Sequence, residues 1–256
     1  MAKIYLLICP VLLACVFINA QTEKIDPERP DQTESADLIA KNVFQAEFGF
    51  NKENSIGKNY DLLYPTALFK YGLGKIELRM EAVARSSYEH LIPNTRKVSG
   101  IDPITLGFKI NLVKEKNFIP KTSLISSFGI PAFSSKVFRS DHIAPSIKLV
   151  MINTFSEHAD LSYNLGAEWD GFNTIPAWLY TLSQGFSFGK NWNTYFEVFG
   201  FIQKNEAPQH SIDAGIGYCI SNDTKVDLSG GFGISDAAPK SYIAIGFSFR
   251  IKPKKK

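Results

Sequence analysis

Ser211-Ile-Asp-Ala-Gly-Ile-Gly-Tyr-Cys-Ile220, then Lys225-Val-Asp-Leu-Ser-Gly-Gly-Phe-Gly-Ile234, then Tyr242-Ile-Ala-Ile-Gly-Phe-Ser-Phe-Arg-Ile251 state one pattern three times. In the first segment Ile212, Ala214, Ile216, Tyr218 and Ile220 alternate with Ser211, Asp213, Gly215, Gly217 and Cys219. In the last, Ile243, Ile245, Phe247, Phe249 and Ile251 alternate with Tyr242, Ala244, Gly246, Ser248 and Arg250. A period of two is the period of a β-strand with one apolar face.

Such strands suit either a soluble antiparallel sheet or a membrane barrel, so the contents of the faces decide. In a soluble sheet, glycine on the solvated face weakens the strand without a packing gain. In an outer-membrane barrel the apolar face meets lipid, while glycine, serine and paired charges line the interior. The second arrangement accounts for both faces, and it predicts an all-β, antiparallel transmembrane barrel.

Working outward, alternation begins at Val43, and twelve strands are expected near 43–51, 61–73, 75–87, 103–115, 121–130, 143–155, 159–170, 177–189, 193–204, 209–220, 224–235 and 240–251. Connectors after the second, sixth, eighth and tenth strands are short. Those at 88–100 and 131–142 are long, which fits short periplasmic turns and longer outer loops. The connector Lys116-Asn-Phe-Ile-Pro120 is long for its rim and marks the weakest point of the strand count. Gln184 interrupts the apolar face of the eighth strand.

The chain opens with Lys3 and an uncharged run from Ile4 to Ile18 ending at Asn19-Ala20. A basic start, a short apolar run and a small residue at the cut are the parts of a secretory signal peptide, so residues 1–20 are expected to be removed. Leu12-Leu-Ala-Cys15 has the form of a lipoprotein box, but Val16-Phe-Ile18 follows it in place of a polar linker. No later stretch is long enough for a spanning helix, so a closed barrel is what remains for a membrane protein. Loss of residues 1–20 leaves Cys219 alone, with no disulfide and no cysteine metal site.

Formal net charge is +3, and the basic tail 252–256 accounts for that sign. Without the signal and the tail the body is slightly acidic, so the basic pI is a property of the tail and is no argument for nucleic-acid binding. Residues 21–42 form a charged, proline-broken lead-in on the periplasmic side, ahead of the barrel at 43–251. Two states are open for it: a disordered linker, or a segment folded into the barrel mouth with Arg29, Asp31 and Glu34 bridged to interior charges.

The third strand shows the inner face best, because Glu77, Arg79, Glu81 and Arg85 alternate with apolar residues and are too costly to point into hydrocarbon. Lys109, Lys148, Glu197, Asp213, Asp227 and Arg250 join them as lumen-lining candidates. Acids and bases nearly cancel, and Asp213 and Asp227 are expected to pair with Arg250 and Lys225. Tyr71, Tyr163, Trp169, Trp178, Phe188 and Phe249 are expected in outward aromatic girdles.

His90, His142, His158 and His210 show no metal-ligand spacing. His210 and Ser211 are adjacent, so they face opposite ways and cannot work as a nucleophile and base on one face. Gly230, Gly231 and Gly233 lack the following helix that a phosphate loop needs. No catalytic residue, metal or cofactor is expected.

Arg29-Pro-Asp-Gln-Thr-Glu-Ser35, Ile104-Thr-Leu-Gly-Phe-Lys109, Phe196-Glu-Val-Phe-Gly200, and Asp213-Ala-Gly215 through Val226-Asp-Leu-Ser-Gly-Gly-Phe-Gly233 to Gly246-Phe-Ser-Phe-Arg250 carry a resemblance. Together they resemble the transporter-like outer-membrane proteins of the meta-pathway of phenol degradation family, over about residues 28–251. The resemblance implies one exported barrel that passes small hydrophobic or aromatic compounds inward. Such barrels stop at an aromatic residue, whereas this chain runs five residues past Ile251.

The expectation is therefore a cell outer membrane channel or uptake pore working by passive diffusion, with periplasmic termini. Its partners are outer-membrane lipid, the barrel insertion machinery and a small-molecule solute. The alternative is a closed structural barrel whose loops at 88–102 and 131–142 bind a partner.

Overall fold

The computed structural model describes residues 24–91 and 94–253. Residues 1–20, expected as a signal peptide and carrying Cys9 and Cys15, and the end of the basic tail lie outside the described residues. Strands β1 (Phe44–Asn54), β2 (Tyr60–Gly72), β3 (Ile76–His90), β4 (Thr95–Ile101), β5 (Ile104–Val113), β6 (Lys121–Ile130) and β7 (Ala144–Ser156) make the first half. The second half is β8 (Ala159–Glu168), β9 (Ala177–Phe188), β10 (Trp192–Gln203), β11 (Gln209–Ser221), β12 (Thr224–Gly233) and β13 (Ser241–Ile251).

Every neighbouring pair is antiparallel, and β1 bonds to both β2 and β13, so the sheet closes on itself. Closure pairs Phe44 with Ile251 and Gly49 with Gly246. A closed ring has no free edge and satisfies its backbone internally, which is what lipid demands of a spanning structure.

The ring has twelve staves, because β4 and β5 together make the fourth: β5 pairs with the first half of β3 and β4 with the second. Asp102-Pro103 separates them, where proline supplies no ladder donor. The segment 88–100, expected as a loop, is thus mostly a hairpin extending β3 and β4. It was illegible as strand because Thr95-Arg-Lys-Val-Ser-Gly-Ile101 has both faces wet and needs no apolar alternation. Two short 3₁₀ turns, Pro131–Phe133 and Lys136–Phe138, shape the connector after β6, and the Phe138 ring lies 5.6 Å from the Arg85 guanidinium.

Lys116-to-Pro120 adds no uncounted strand. Lys116 and Ile119 exchange main-chain hydrogen bonds of 3.0 Å around Asn117, which has φ 56°, so the connector is a tight turn on a short spur. Gln184 leaves the register of β9 intact on both sides; its amide donates to the Asp160 carbonyl at 2.5 Å, and this keeps a polar side chain on the outer face satisfied. Trp169 is a correction to the girdle. It lies past the end of β8, its indole N–H donates to the Thr174 carbonyl, and it borders the mouth of the interior.

The two faces differ as the alternation predicts. Ile243, Ile245, Phe247 and Ile251 are exposed on the outside of β13, while Ser248 between them is fully buried. The largest fully buried side chains are Lys70, Lys109, Gln45, Glu47, Glu77 and Glu197, the reverse of a water-soluble core. Contiguous exposed apolar surface of this kind marks a lipid-facing wall. At the rim that carries the ends of the barrel, called the near rim, Phe188 stacks on Trp192, whose other neighbour, Tyr218, meets it at a tilt.

Candidate functional site

Residues 24–42 run inside the ring. Lys24 and Ile25 fasten the segment at the near rim, to the Asn191 side chain and the Asn222 carbonyl. The chain then dips inward as far as Thr33, whose hydroxyl bonds to Thr181 and Glu197, and it returns to the near rim where Asn42 donates to the Gly72 carbonyl. This hairpin-like excursion forms a plug.

The plug's strongest anchor is Glu28, which the sequence reading missed. Its Oε1 accepts Lys109 Nζ at 2.6 Å, Arg79 Nη1 at 3.0 Å and Lys70 Nζ at 3.1 Å, and its Oε2 accepts the Ser35 amide at 2.7 Å. Burial alone would raise this carboxyl, but Lys109, Lys70 and Arg79 outweigh it and hold Glu28 well below the usual carboxylate range. Glu34 pairs with Arg79 and, at 3.1 Å, with Lys148; burial opposes its ionisation and these two cations outweigh that too. Only the meeting of four strands brings these partners together, so no local spacing could have announced Glu28.

Arg29 occupies a slot between Gly49 and Gly246, directly paired across β1 and β13. A Cβ at either position would overlap its guanidinium, so the glycines are there for close approach. From that slot Arg29 reaches Asp227 at 3.3 Å. Asp31 makes no ion pair among the described contacts; it accepts the Ser183 hydroxyl at 3.2 Å. Burial raises the Asp31 carboxyl well above its ordinary value, Lys225 opposes this, and Asp26 and Asp213 add to it.

Of the expected interior residues, Glu77, Arg79, Lys109 and Lys148 meet in one charged cluster on β3, β5 and β7. Arg79 binds Glu77 at 2.9 Å, and Lys70 binds Glu47 at 2.7 Å. Glu197 accepts the Gln32 amide at 2.8 Å as well as the Thr33 hydroxyl, and Asp213 takes the hydroxyls of Tyr195 and Tyr242. The expected pairing of Asp213 and Asp227 with Arg250 is wrong. Arg250 sits at the near rim on Asp223, at 2.7 Å, because β13 places Gly246, not Arg250, opposite Asp227.

Exposure along one face of β3 shows how deep the plug goes. The Glu77 side chain is 0% exposed, Arg79 9%, and Arg85 36%, with Glu81 also exposed. Beside β3 the near half of the interior is therefore filled and the far half is open, while a cavity of about 530 Å³ remains at the near rim beside Lys24, His158, Asn191 and Lys225. A cavity of about 530 Å³ lies at the far rim beside Glu53, Arg85, Glu168, Trp169 and Phe201. Arg85 is held there by Asp102 at 2.8 Å. A smaller cavity of about 160 Å³ lies between the plug and the wall, beside Asp31, Ser162, Ser183 and Tyr195.

Among the described residues no cluster of histidine, cysteine and carboxylates is placed to hold a metal. His210 accepts or donates a 2.9 Å hydrogen bond with the Tyr180 hydroxyl.

The fold is similar to those of solved outer-membrane channels. The "COG4313 outer membrane channel from Pseudomonas putida F1" superposes with a TM-score of 0.66 at 8% identity, covering 89% of this chain and 100% of that one. The NanC porin gives 0.53 at 7% identity over 81% and 100% of the chains, and the KdgM porin 0.51 at 9% over 80% and 99%. A search of curated protein sequences gave no match. The family model described as "Putative MetA-pathway of phenol degradation" matches residues 28–251, beginning at the plug's Glu28 and ending with β13, and the chain belongs to that family.

Proposed function

We propose that this protein is an outer-membrane channel that passes small molecules by passive diffusion, with its near rim in the periplasm. The observation that carries the reading is the graded interior. A wall with an apolar outer face encloses an open, charged far half beside β3, and a segment of the same chain, docked by ion pairs, fills the near half there. A twelve-stave ring lies between barrels filled by their own side chains and wide water-filled porins. Its family description points to aromatic compounds, so small hydrophobic or aromatic solutes are the class we assign.

In this reading residues 1–20 are a cleaved export signal, residues 24–42 supply the plug, and the insertion machinery seats 43–251 in lipid. Glu77, Arg79, Glu81, Arg85, Lys109, Lys148, Glu197, Asp213 and Asp227 line the passage, and Arg250 borders its periplasmic end. The similar structures are channels and porins, and the reading assigns no chemistry to the protein. Purified protein in planar bilayers and liposome-swelling assays tests it. Conductance with entry of small aromatic solutes supports the channel; neither would make this a closed barrel presenting its far-rim connectors to a partner.

A further inference from the structure

The plug does more than fill space, because Glu28 presents a free-ended carboxylate to three convergent cations. Lys70 and Lys109 are almost fully buried and Arg79 is 9% exposed, so these charges are held out of bulk water, where unpaired cations are costly. Lys109 is the telling residue. Its close partners are Glu28, the Ser35 carbonyl at 2.8 Å and the Asp37 carbonyl at 3.2 Å, all of them plug atoms. Among the described residues, its ion-pair partner on the wall is Glu77, at 3.9 Å. Lys70 and Arg79, in contrast, keep wall partners in Glu47 and Glu77. A plug that moves aside therefore leaves a built, desolvated carboxylate site with Lys109 at its centre.

We propose that Lys70, Arg79 and Lys109 form a carboxylate-binding station in the passage, that Glu28 is its tethered occupant, and that small monocarboxylates are among the solutes. This rests on the channel reading and names a substrate class for it. An incoming carboxylate replaces the three charge-assisted hydrogen bonds that Glu28 gives up, which lowers the cost of displacing the plug. A neutral solute of equal size has no such exchange. A tethered group on a short segment competes at an effective concentration of roughly millimolar, so free carboxylates displace it in that range. Glu34 on Arg79 and Lys148 is the second contact to break, and it lies deeper, on the side of the open far half.

The probes are sodium benzoate and benzyl alcohol, which share a ring and differ in charge. In proteoliposomes, Glu28→Gln is expected to raise benzoate entry several-fold while benzyl alcohol changes much less. Adding Lys109→Gln to that variant removes the benzoate gain, although the plug is loosened at least as much. Equal acceleration of both solutes by Glu28→Gln, or a benzoate gain that survives Lys109→Gln, overturns the station and leaves the channel standing. No entry of either solute in any variant overturns both. A second measurement keeps Glu28 in place: in an Ala36→Cys, Cys219→Ser chain, millimolar benzoate is expected to speed maleimide labelling of the buried position 36. Benzyl alcohol, and sodium chloride at matched ionic strength, do not. Equal labelling rates under all three conditions contradict the proposal.

Discussion

Glu28 and Lys109 meet at 2.6 Å with the lysine side chain 0% exposed and the carboxylate 7%, eighty-one residues apart in sequence. The pair joins the segment ahead of the barrel to the middle of its wall. Breaking it from the wall side leaves Glu28 with Lys70 and Arg79, so the loss is less than the roughly 3 to 5 kcal/mol of a fully orphaned buried charge. Lys109→Met is expected to weaken plug docking by about 2 kcal/mol, close to thirtyfold in the docked-to-free ratio. Maleimide labelling at Ala36→Cys, in the Cys219→Ser background, reads that ratio directly.

Plug docking is expected to respond to pH in two opposite steps. Asp31 and Asp26 have raised carboxyl pKa values in the docked state, chiefly from burial, so docking binds their protons and tightens as pH falls from neutrality. Glu28 and Glu34 are lowered, so their contribution is complete above the ordinary carboxylate range and is lost below it. Conductance should therefore fall as pH is lowered toward the ordinary carboxylate range, then rise on acidification through and below it. Asp31→Asn is expected to flatten the first step and Glu28→Gln the second. A single monotonic pH curve in the unaltered chain counts against both assignments.

Facing is tested on β13. Phe247→Arg places a charge on the outer face near mid-height, at a cost of roughly 2 to 4 kcal/mol in lipid. Ser248→Arg points into the ring instead, beside Glu47 and Lys225 in the register, and is expected to insert while dislodging the plug. Heat-modifiable mobility on gels separates these outcomes. The same mobility for both variants would mean that the facing is wrong.

Arg29 gives a purely steric prediction. Gly246→Val puts a side chain into that slot, against both the Arg29 guanidinium and the Asp227 carboxylate, so their contact should be lost and the plug loosened, with barrel insertion unchanged. Labelling at position 36 as slow as in the unaltered chain would show that the slot does not hold the plug.

Strand count and facing were legible because lipid and lumen impose opposite chemistry on alternate residues, as from Ile243 to Ile251. Where that contrast ends, legibility ends with it: Thr95–Ile101 stands clear of lipid and read as loop. Arg29, Asp31 and Glu34 were the anchors of one of the two states left open for the segment; Arg29 and Glu34 do pair with wall charges, Asp31 makes no ion pair among the described residues, and Glu28 was overlooked. Which charges meet depends on how deep each residue hangs in a closed ring, and this depends on register across β1, β2, β3 and β5. Asp227 and Arg250 show the same limit, since both face inward yet sit at different heights.

The central claim is that residues 24–42 close an otherwise continuous passage. It is tested most directly by single-channel recording of a chain lacking Glu23 to Ser35, with export signal and strands intact and insertion verified by heat-modifiable mobility. The account predicts a conductance clearly larger than that of the full chain, with faster entry of small solutes. Unchanged conductance in the correctly inserted deletion variant would contradict it.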